Sequence, residues 1–476
     1  MRLVILILLI LGVSVFSKPQ EDRVYSIPDM ANFTEYEFYS GYLNITGKQR
    51  YLHYVFVESQ SCPETDPLVI WFNGGPGCSS MLGFAQENGP YVMPDGDPNF
   101  YKNPHSWNTN ASVLYIESPA GVGYSYFEGR DRDYFNDSSS AEDNYEALLQ
   151  FYAKFPEYVN HTLFISGESY AGIYVPYLAY EILKNNNTIP LAGIIVGNGV
   201  TNWTYDCDPA FIDMGFWHNL YTFNLQERIE SAECKFPNFG NDTEECEGLR
   251  DEFYDLIEKV NPYDVYRECY YTNESDRIGV ANINGKTKTY KRGMTMREYT
   301  PFAFRNNKNG GIIPPCVYGK GTSDFFNRQG VRDALNIKTD QEWELCTDRI
   351  SYNESEKASY WIYPYLKANN IRVLHFSGNA DGSVPTQGTR TWINTLGWNI
   401  TKPYRPFYIR NRQVGGYVVD YDGLTFTSIQ GVGHMAAQWS PEATKLAVYD
   451  FINNKTIGEG SWKQEKEEVE YMLKTE

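Results

Sequence analysis

The sequence predicts an α/β protein whose central sheet is mostly parallel. Apolar segments bounded by Gly, Pro or Asn recur through the first half of the chain, as expected of buried strands. These segments span 51–59, 68–75, 112–119, 162–169 and 191–199. Helix-like segments separate the later ones, at 141–155 and 171–185. Alternation of strand and helix is typical of a parallel sheet covered by helices.

The alternation stops after Gly199 and returns near the C-terminus. Residues 202–318 are polar and aromatic, contain five of the eight cysteines and show no clear pattern of strand and helix, which predicts an insertion. The α/β pattern resumes in four segments, of which the last is predicted to be the closing helix: 331–337, 372–381, 424–434 and 441–454.

The N-terminus has the pattern of a signal peptide. Arg2 is followed by an apolar run over 3–13 and by small residues before Lys18. A membrane anchor is the alternative, but this run is shorter than the roughly 18 apolar residues expected of a spanning helix. The predicted division of the chain is a signal peptide at 1–17, the first part of an α/β core at 18–201, a cap or insertion at 202–320, the second part of the core at 321–460 and a polar tail at 461–476.

Composition narrows the class of protein further. Sixty acidic residues against 41 basic ones give a formal charge of -19, which disfavours nucleic acid and anionic membrane surfaces as partners. The eight cysteines follow a secretory signal, so disulfides are expected rather than thiols, and no two lie at the C-x-x-C spacing of a zinc site. Twelve N-x-S/T acceptors agree with the secretory pathway, with lysosome and extracellular space both left open.

Ser169 is the candidate nucleophile. It lies in Gly167-Glu168-Ser169-Tyr170-Ala171-Gly172, between a predicted strand and a predicted helix, which is the pattern of a nucleophile elbow. Ala171 stands where the motif usually has Gly. The alternative is an ordinary serine that caps a helix N-terminus, so Ser169 needs a base and an acid elsewhere in the chain.

His434 and Asp381 are the candidate base and acid. In the order Ser, Asp, His of α/β-hydrolases, both must follow Ser169 at later strand ends. His434 lies in a Gly-flanked loop after the last predicted strand, whereas His218 lies in the insertion and His375 in the middle of a strand. Asp381 ends the preceding strand, although its Asp-Gly pair is also a common turn.

A glycine-rich loop supplies candidate donors for an oxyanion. The segment WFNGGPGCSS, at 71–80, follows a predicted strand, and backbone N–H groups of such a loop stabilise the negative charge that develops on an attacked carbonyl. A plain Gly-Pro turn is the alternative interpretation of this segment.

Taken together, the motifs resemble those of the serine carboxypeptidase family, which includes cathepsin A-like enzymes and has the α/β-hydrolase fold. The blocks that carry the resemblance are WFNGGPGCSS, ENGP, ESPAGVGYSY, GESYAG, SGNAD and GVGHM. They belong to a similarity that spans about 24–454. Glu117 departs from the Asp that is common at its position.

The resemblance implies roles for residues around Ser169. The backbone N–H groups of Gly75 and Tyr170 would form the oxyanion hole. A second set would bind the substrate's terminal carboxylate: Asn73, Gly74 through its N–H, Glu87 and Glu168, with Trp71 packed beside them. Two glutamates would repel that carboxylate if all three groups were ionised, so at least one must be protonated, which implies an acidic optimum.

The resemblance also implies disulfides between Cys78 and Cys346, Cys234 and Cys246, and Cys269 and Cys316, leaving Cys62 and Cys207 as the remaining pair. The insertion would then be a disulfide-bonded cap over the active site.

The sequence therefore predicts a serine-type carboxypeptidase that releases C-terminal amino acids at acidic pH through an acyl-enzyme on Ser169. Its partners would be peptides with a free C-terminal carboxylate, with no cofactor, metal or membrane, and a homodimer is left open. A zinc carboxypeptidase is disfavoured because no histidine has an H-x-x-E spacing. Two alternatives remain: an acyltransferase on the same scaffold, and a catalytically silent secreted binding or protective protein.

Overall fold

A computed structural model describes residues 18–268 apart from 34, 186–187 and 241, the strands 278–283 and 286–291, residue 316, and residues 319–459. The predicted signal peptide, the predicted polar tail and Cys269 lie outside the described residues. Within them, no helix combines the length and apolar character that crossing a membrane requires.

The centre of the molecule is an eleven-stranded sheet. Its ten longer strands are β1 Phe38–Ile45, β2 Arg50–Val57, β3 Leu68–Phe72, β4 Ser112–Ile116, β5 Leu163–Glu168, β6 Leu191–Gly197, β7 Arg372–Gly378, β8 Ile400–Ile409, β9 Gln413–Tyr421 and β10 Leu424–Ile429. The two-residue strand Tyr126–Phe127 pairs with β2. Across the sheet the order is β8, β9, β10, β7, β6, β5, β3, β4, β2, β1.

Six neighbouring strands, from β10 to β4 in this order, run parallel, and the strands at both margins are antiparallel. The predicted α/β class with a mostly parallel sheet is confirmed. The antiparallel margins β1, β8 and β9 were not predicted. In β8 this is understandable, because most of its residues are solvent-exposed and it contains Pro403 and Pro406, which are rare in strand interiors.

Helices cover both faces of the sheet. They are α1 Asp137–Lys154, α2 Ala171–Lys184, α3 Asp208–Trp217, α4 Phe223–Ser231, α5 Glu244–Leu256, α6 Gly319–Phe326, α7 Gln329–Ala334, α8 Tyr363–Ala368, α9 Thr386–Thr395, α10 Ala436–Trp439 and α11 Pro441–Ile452. One buried apolar cluster contains residues of α1, α2, α8 and α9, and a second contains residues of α7, α10 and α11. Two layers of helices thus protect the parallel strands from water on both sides.

Local signals in the sequence explain where some helices begin. Asn136 caps α1, since its side chain accepts from the Ser139 N–H at 2.8 Å while the Ser139 hydroxyl accepts from the Asn136 N–H at 2.9 Å. Pro441 opens α11, where the missing N–H of proline costs no hydrogen bond.

The insertion has a small apolar core of its own. Helices α3, α4 and α5 bury Phe211, Met214, Leu225, Ile229 and Phe253 against one another. Shorter strands complete the described part of the chain: Ser26–Ile27 with Ala31–Asn32, Tyr91–Val92 with Tyr101–Lys102, Asp133–Asn136 with Ile350–Asn353, and Ile278–Ile283 with Lys286–Lys291.

Candidate active site

Ser169 lies on a sharp turn between β5 and α2. Its φ of +64° is in the left-handed region, which a non-glycine residue adopts only when neighbours hold it there. The Ser169 N–H donates to the carbonyl of Gly197 at 3.1 Å, and the Ser169 carbonyl accepts from the Val200 N–H at 3.0 Å. The loop after β6 thus fixes the turn from both sides.

Close backbone approaches explain the small residues around Ser169. A Cβ on Gly167 would lie 2.5 Å from the carbonyl oxygen of Phe72, and a Cβ on Gly172 would lie 2.4 Å from that of Val200. Neither position accepts a side chain without moving backbone. Ala171, the departure noted from the sequence, is buried in the first turn of α2.

Asp381 and His434 meet at the carboxyl ends of β7 and β10. Nδ1 of His434 lies 2.7 Å from Oδ2 of Asp381, and both side chains are almost completely buried. Asp381 also accepts from the Nδ2 of Asn198 at 2.8 Å and from two backbone N–H groups, those of Ser383 and Val384. Because an ionised carboxylate only accepts, Nδ1 carries the ring proton, which leaves Nε2 of neutral His434 able to take a proton.

Ser169 is brought to the same edge of the sheet by β5. It is partly exposed, whereas His434 and Asp381 are buried. No hydrogen bond joins the Ser169 hydroxyl to the His434 ring in the described structure. Such bonds are often long before a substrate binds.

The glycine-rich loop lies against the turn of Ser169. A Cβ on Gly74 would be only 2.3 Å from the Tyr170 nitrogen, so this backbone approach requires glycine. The next residue, Gly75, has a φ of +113°. Neither the Gly75 N–H nor the Tyr170 N–H has an acceptor within the described chain. Backbone N–H groups without an acceptor in such a loop are available to a ligand.

Asn73 joins two buried glutamates. Its Nδ2 donates to Oε1 of Glu87 at 3.0 Å and to Oε1 of Glu168 at 3.1 Å. Its Oδ1 accepts from the indole N–H of Trp71 at 2.8 Å, which fixes the direction of the amide. Glu87 ends the π-helix Gly83–Glu87, and Glu168 directly precedes Ser169.

Burial raises the pKa of both glutamates. The pKa of Glu168 is raised well above its usual range, first by burial and then by the charges of Glu87 and Asp381. Burial also raises the pKa of Glu87, although the hydrogen bond from Asn73 opposes this. With both groups ionised, Oε2 of each has no partner, whereas one proton lets the pair share a hydrogen bond. The pair therefore favours a protonated state.

Comparison with known proteins identifies the family of this chain. The family model described as serine carboxypeptidase matches residues 28–454. The chain belongs to the serine carboxypeptidase family. This confirms the predicted family and the predicted class of enzyme, a hydrolase.

Individual relatives of this carboxypeptidase cover nearly its whole length. The lysosomal protective protein of Mus musculus is 32% identical over 457 residues, which is 92% of this chain and 94% of that protein. Serine carboxypeptidase 1 of Hordeum vulgare is 30% identical, covering 89% and 91% respectively. A crystal structure of a prohormone-processing carboxypeptidase from Saccharomyces cerevisiae superposes with a TM-score of 0.69 at 20% identity, covering 92% of this chain and 96% of that one. The predicted α/β-hydrolase fold is confirmed.

The sequence did not predict a role for Asn198, the residue of this carboxypeptidase whose side chain donates a hydrogen bond to Asp381. The Asn198 Oδ1 accepts from the Gly378 N–H at 3.0 Å while its Nδ2 donates to Asp381. Its φ of +41° is one that asparagine tolerates better than most residues. The only signal was Gly197-Asn198-Gly199 at a strand end, which is also an ordinary turn.

Glu117, noted as a departure from the family pattern, supports the glycine-rich loop. It accepts from the Ser79 hydroxyl, from the indole N–H of Trp343 at 2.9 Å and from the Tyr124 N–H at 2.9 Å, and it lies 2.8 Å from Nδ1 of His53. The glutamate side chain, which is longer than the Asp common at this position, thus accepts hydrogen bonds from several partners.

The disulfides only partly match those implied by the resemblance. The structure contains Cys78–Cys346 and Cys234–Cys246, and Cys316 is disulfide-bonded while Cys269, its expected partner, lies outside the described residues. The predicted bridge between Cys62 and Cys207 is wrong. Cys62 is an exposed thiol whose Sγ accepts from the Thr65 hydroxyl at 3.1 Å, whereas Cys207 is buried at the start of α3.

No cluster of His, Cys, Asp and Glu suited to a metal ion occurs within the described residues. The site chemistry that can be built from them is that of a serine nucleophile, an imidazole base and two acidic side chains.

Proposed function

We propose that this protein is a serine-type carboxypeptidase that removes C-terminal amino acids from peptides at acidic pH, with Ser169, His434 and Asp381 as its catalytic residues. The observation that carries the proposal is the pair of buried glutamates next to Ser169. Glu87 and Glu168 share the amide of Asn73 and have raised pKa values, so together they can donate a hydrogen bond to a carboxylate. A site that only cleaved internal peptide bonds would have no use for this group.

The proposed reaction begins with attack of the Ser169 Oγ on the scissile carbonyl carbon. Nε2 of His434 takes the hydroxyl proton, and Asp381 stabilises the imidazolium that forms. The N–H groups of Gly75 and Tyr170 bind the oxyanion. Collapse of this intermediate breaks the C–N bond, and His434 returns the proton to the departing amine.

Hydrolysis of the acyl-enzyme repeats these steps with water as the nucleophile. The released amino acid leaves the carboxylate-binding residues, and water then attacks the ester carbonyl with His434 as the base. Ser169 recovers its proton when the shortened peptide departs. In this proposal Asn73, Gly74, Glu87, Glu168 and Trp71 act on the substrate's terminal carboxylate, while the insertion forms the cap that shapes the neighbouring pocket.

An acyltransferase on the same scaffold is the second candidate. It would use the same nucleophile, but an alcohol would replace water in the second half of the reaction. The intact pair of buried glutamates favours hydrolysis of peptides. A carboxypeptidase must bind the terminal carboxylate of its substrate, whereas an acyltransferase that uses alcohols has no general need to do so.

The proposal includes passage through the secretory pathway to the lysosome or the extracellular space. The signal-peptide pattern at 1–17 and the N-x-S/T acceptors support it. The Mus musculus relative, the lysosomal protective protein, is by its name a lysosomal protein.

Release of a free amino acid from an N-blocked dipeptide at about pH 5 tests the function. Wild-type protein, Ser169→Ala and the exposed control Ser231→Ala are compared on this substrate and on its C-terminal amide. We expect release that requires Ser169, is retained in the control and strongly favours the free carboxylate. Secreted, folded protein that releases nothing across several penultimate side chains would contradict the proposal, and transfer to added alcohols would then identify an acyltransferase.

A further inference from the structure

Residues 261–265 of the insertion, which we name the clamp segment, contact the loop that carries Asp381. The Val265 N–H donates to the carbonyl of Ala380 at 3.0 Å, and the carbonyl of Pro262 accepts from the Gly382 N–H at 2.9 Å. These two bonds flank Asp381 on both sides. The backbone at this carboxylate is therefore held by a part of the chain outside the α/β core.

The same segment contacts the loop that carries His434. The carbonyl of Tyr263 accepts from the His434 N–H at 2.6 Å, and Oδ2 of Asp264 accepts from the Gly433 N–H at 3.0 Å. The Tyr263 ring lies against the imidazole, with 5.0 Å between ring centroids. A Cβ on Gly433 would be 1.9 Å from the Tyr263 oxygen, so only glycine permits this approach.

Side chains of the clamp segment also bond to neighbouring backbone and to Arg267. Oδ1 of Asn261 accepts from the Tyr263 N–H at 3.0 Å, and Oδ1 of Asp264 accepts from the Tyr266 N–H at 3.0 Å. The Arg267 Nε lies 3.2 Å from Oδ2 of Asp264, whose side chain is 1% exposed. The Arg267 guanidinium in turn lies over the Trp439 ring at 4.6 Å. Asp264 is thus fixed on both sides while it receives the Gly433 N–H.

We propose that the clamp segment sets the geometry of the catalytic acid and base, and that Asp264 is a positioning residue for His434. Of the four hydrogen bonds between the clamp segment and the two loops, three use backbone atoms of the segment. The side chain of Asp264 forms the fourth. The inference rests on the proposed function, because it gives His434 the role of base. The insertion then completes the catalytic machinery in addition to covering it.

Two substitutions at Asp264 separate geometry from charge. Asp264→Asn removes the charge and keeps one oxygen, which can still accept from the Gly433 N–H while the amide nitrogen replaces the oxygen that accepts from the Tyr266 N–H. Asp264→Glu keeps the charge and both oxygens but moves them by one methylene. A displacement on the order of 1 Å at a catalytic group costs up to about 10²-fold in rate. We expect kcat to fall about 10-fold to 100-fold in Asp264→Glu and at most about threefold in Asp264→Asn, with KM within about threefold in both.

The measurement is kcat per active site, counted by titration of Ser169 with a serine-directed phosphonate, on the full-length secreted protein. Asp255→Asn, which changes an exposed acid of the same insertion, is the matched control. Per-site counting removes losses that come only from poor folding. A larger loss in Asp264→Asn than in Asp264→Glu, or wild-type kcat in Asp264→Glu, would overturn the proposal.

A failure of the proposed function would look different. If His434→Ala retains full peptidase activity, then His434 is not the base and the proposed mechanism fails. If His434→Ala is inactive while Asp264→Glu behaves like the Asp255→Asn control, the mechanism stands and only the role of Asp264 is refuted.

Discussion

Glu87 and Glu168 lie side by side, and neither forms an ion pair with the described lysines, arginines or histidines. Protein interiors normally avoid such an arrangement, because a second buried carboxylate is repelled by the first and loses its hydration. The pair can persist only because a proton relieves both costs. The raised pKa values therefore favour a proton on the pair.

Glu168→Gln should change the pH dependence of kcat/KM. In the wild type we expect kcat/KM for peptides with a free carboxylate to fall as pH rises through the raised pKa of the pair, since the donated proton is lost. The side-chain amide introduced by the substitution would donate at every pH. We therefore expect kcat/KM to decrease much less with rising pH in Glu168→Gln than in the wild type.

The C-terminally amidated peptide is the control for this experiment, because it needs no partner for a carboxylate. If the wild type and Glu168→Gln had identical pH profiles on the peptide with a free carboxylate, Glu168 would not bind the terminal carboxylate of the substrate.

At the scale of elements, the turn at Ser169 depends on how closely α2 approaches the loop after β6. In Gly172→Ala the added Cβ would lie 2.4 Å from the Val200 carbonyl oxygen and 2.7 Å from the carbonyl carbon of Gly199, which are backbone atoms that cannot rotate away. We expect a loss of about 1–3 kcal/mol in the free energy of unfolding, and of activity. Thermal unfolding and kcat measure the two effects.

Gly248→Ala is the matched control on α5. Its Cβ would have no atom within 4 Å outside the neighbouring backbone of its own helix, so this substitution should stabilise the helix by about 0.5–1 kcal/mol. Equal stability of the two variants would mean that α2 can shift to accept the methyl group.

The elements that could be predicted from the sequence were those whose burial imposes a regular pattern of apolar residues. Strand β5 is buried along its whole length and begins with the apolar residues 163–165, and α2 follows it with helical spacing. Strand β8 is mostly exposed, so burial imposed no apolar pattern on its sequence. The helices of the insertion pack on one another, which hides them from a search for strand and helix alternation.

Some residues of the site could likewise be predicted from the sequence and others could not. Ser169, Asp381 and His434 lie at strand ends in glycine-containing motifs, so their places were predictable, whereas their roles remain proposals. Asp264 contacts Gly433, the neighbour of His434, from the separate insertion, and nothing in its local sequence indicates that contact. Cys62 and Cys207 were paired only because they remained, whereas the structure has Cys62 as an exposed thiol.

At the scale of the whole molecule, buried acids make stability depend on pH. Burial raises the pKa of Asp206 from 3.8 to about 7, against hydrogen bonds from the N–H groups of Asn202 and Thr201. The folded state therefore binds a proton more tightly than the unfolded chain. The free energy of unfolding should decrease as pH rises from about 4 to about 7.

Asp206→Asn tests this relation. The amide keeps an oxygen for the two backbone donors and never ionises. We expect the variant to match the wild type near pH 4 and to be more stable near pH 8, by on the order of 2 kcal/mol. Thermal unfolding at both pH values measures the difference, and a constant difference across pH would contradict the assignment.

Asp133→Asn is a control in which the change of stability with pH should have the opposite sign. Burial would raise the pKa of Asp133, but hydrogen bonds from Arg50 and Arg130 outweigh it and lower the pKa to about 2. Its stabilising contribution is present at neutral pH and is lost as pH falls from about 4 to about 2. Asp133→Asn should therefore be destabilised near pH 7 and approach the wild type in acid.

The Cys78–Cys346 disulfide joins residues that are 268 positions apart, one of them in the glycine-rich loop beside Ser169. Every peptide bond between them lies within a covalent ring. A single cut in that ring opens it without dividing the molecule, so the two fragments separate only after reduction. A chain nicked in the insertion would migrate as one species on a non-reducing gel, with its glycine-rich loop still attached to the part of the protein that carries Asp381 and His434.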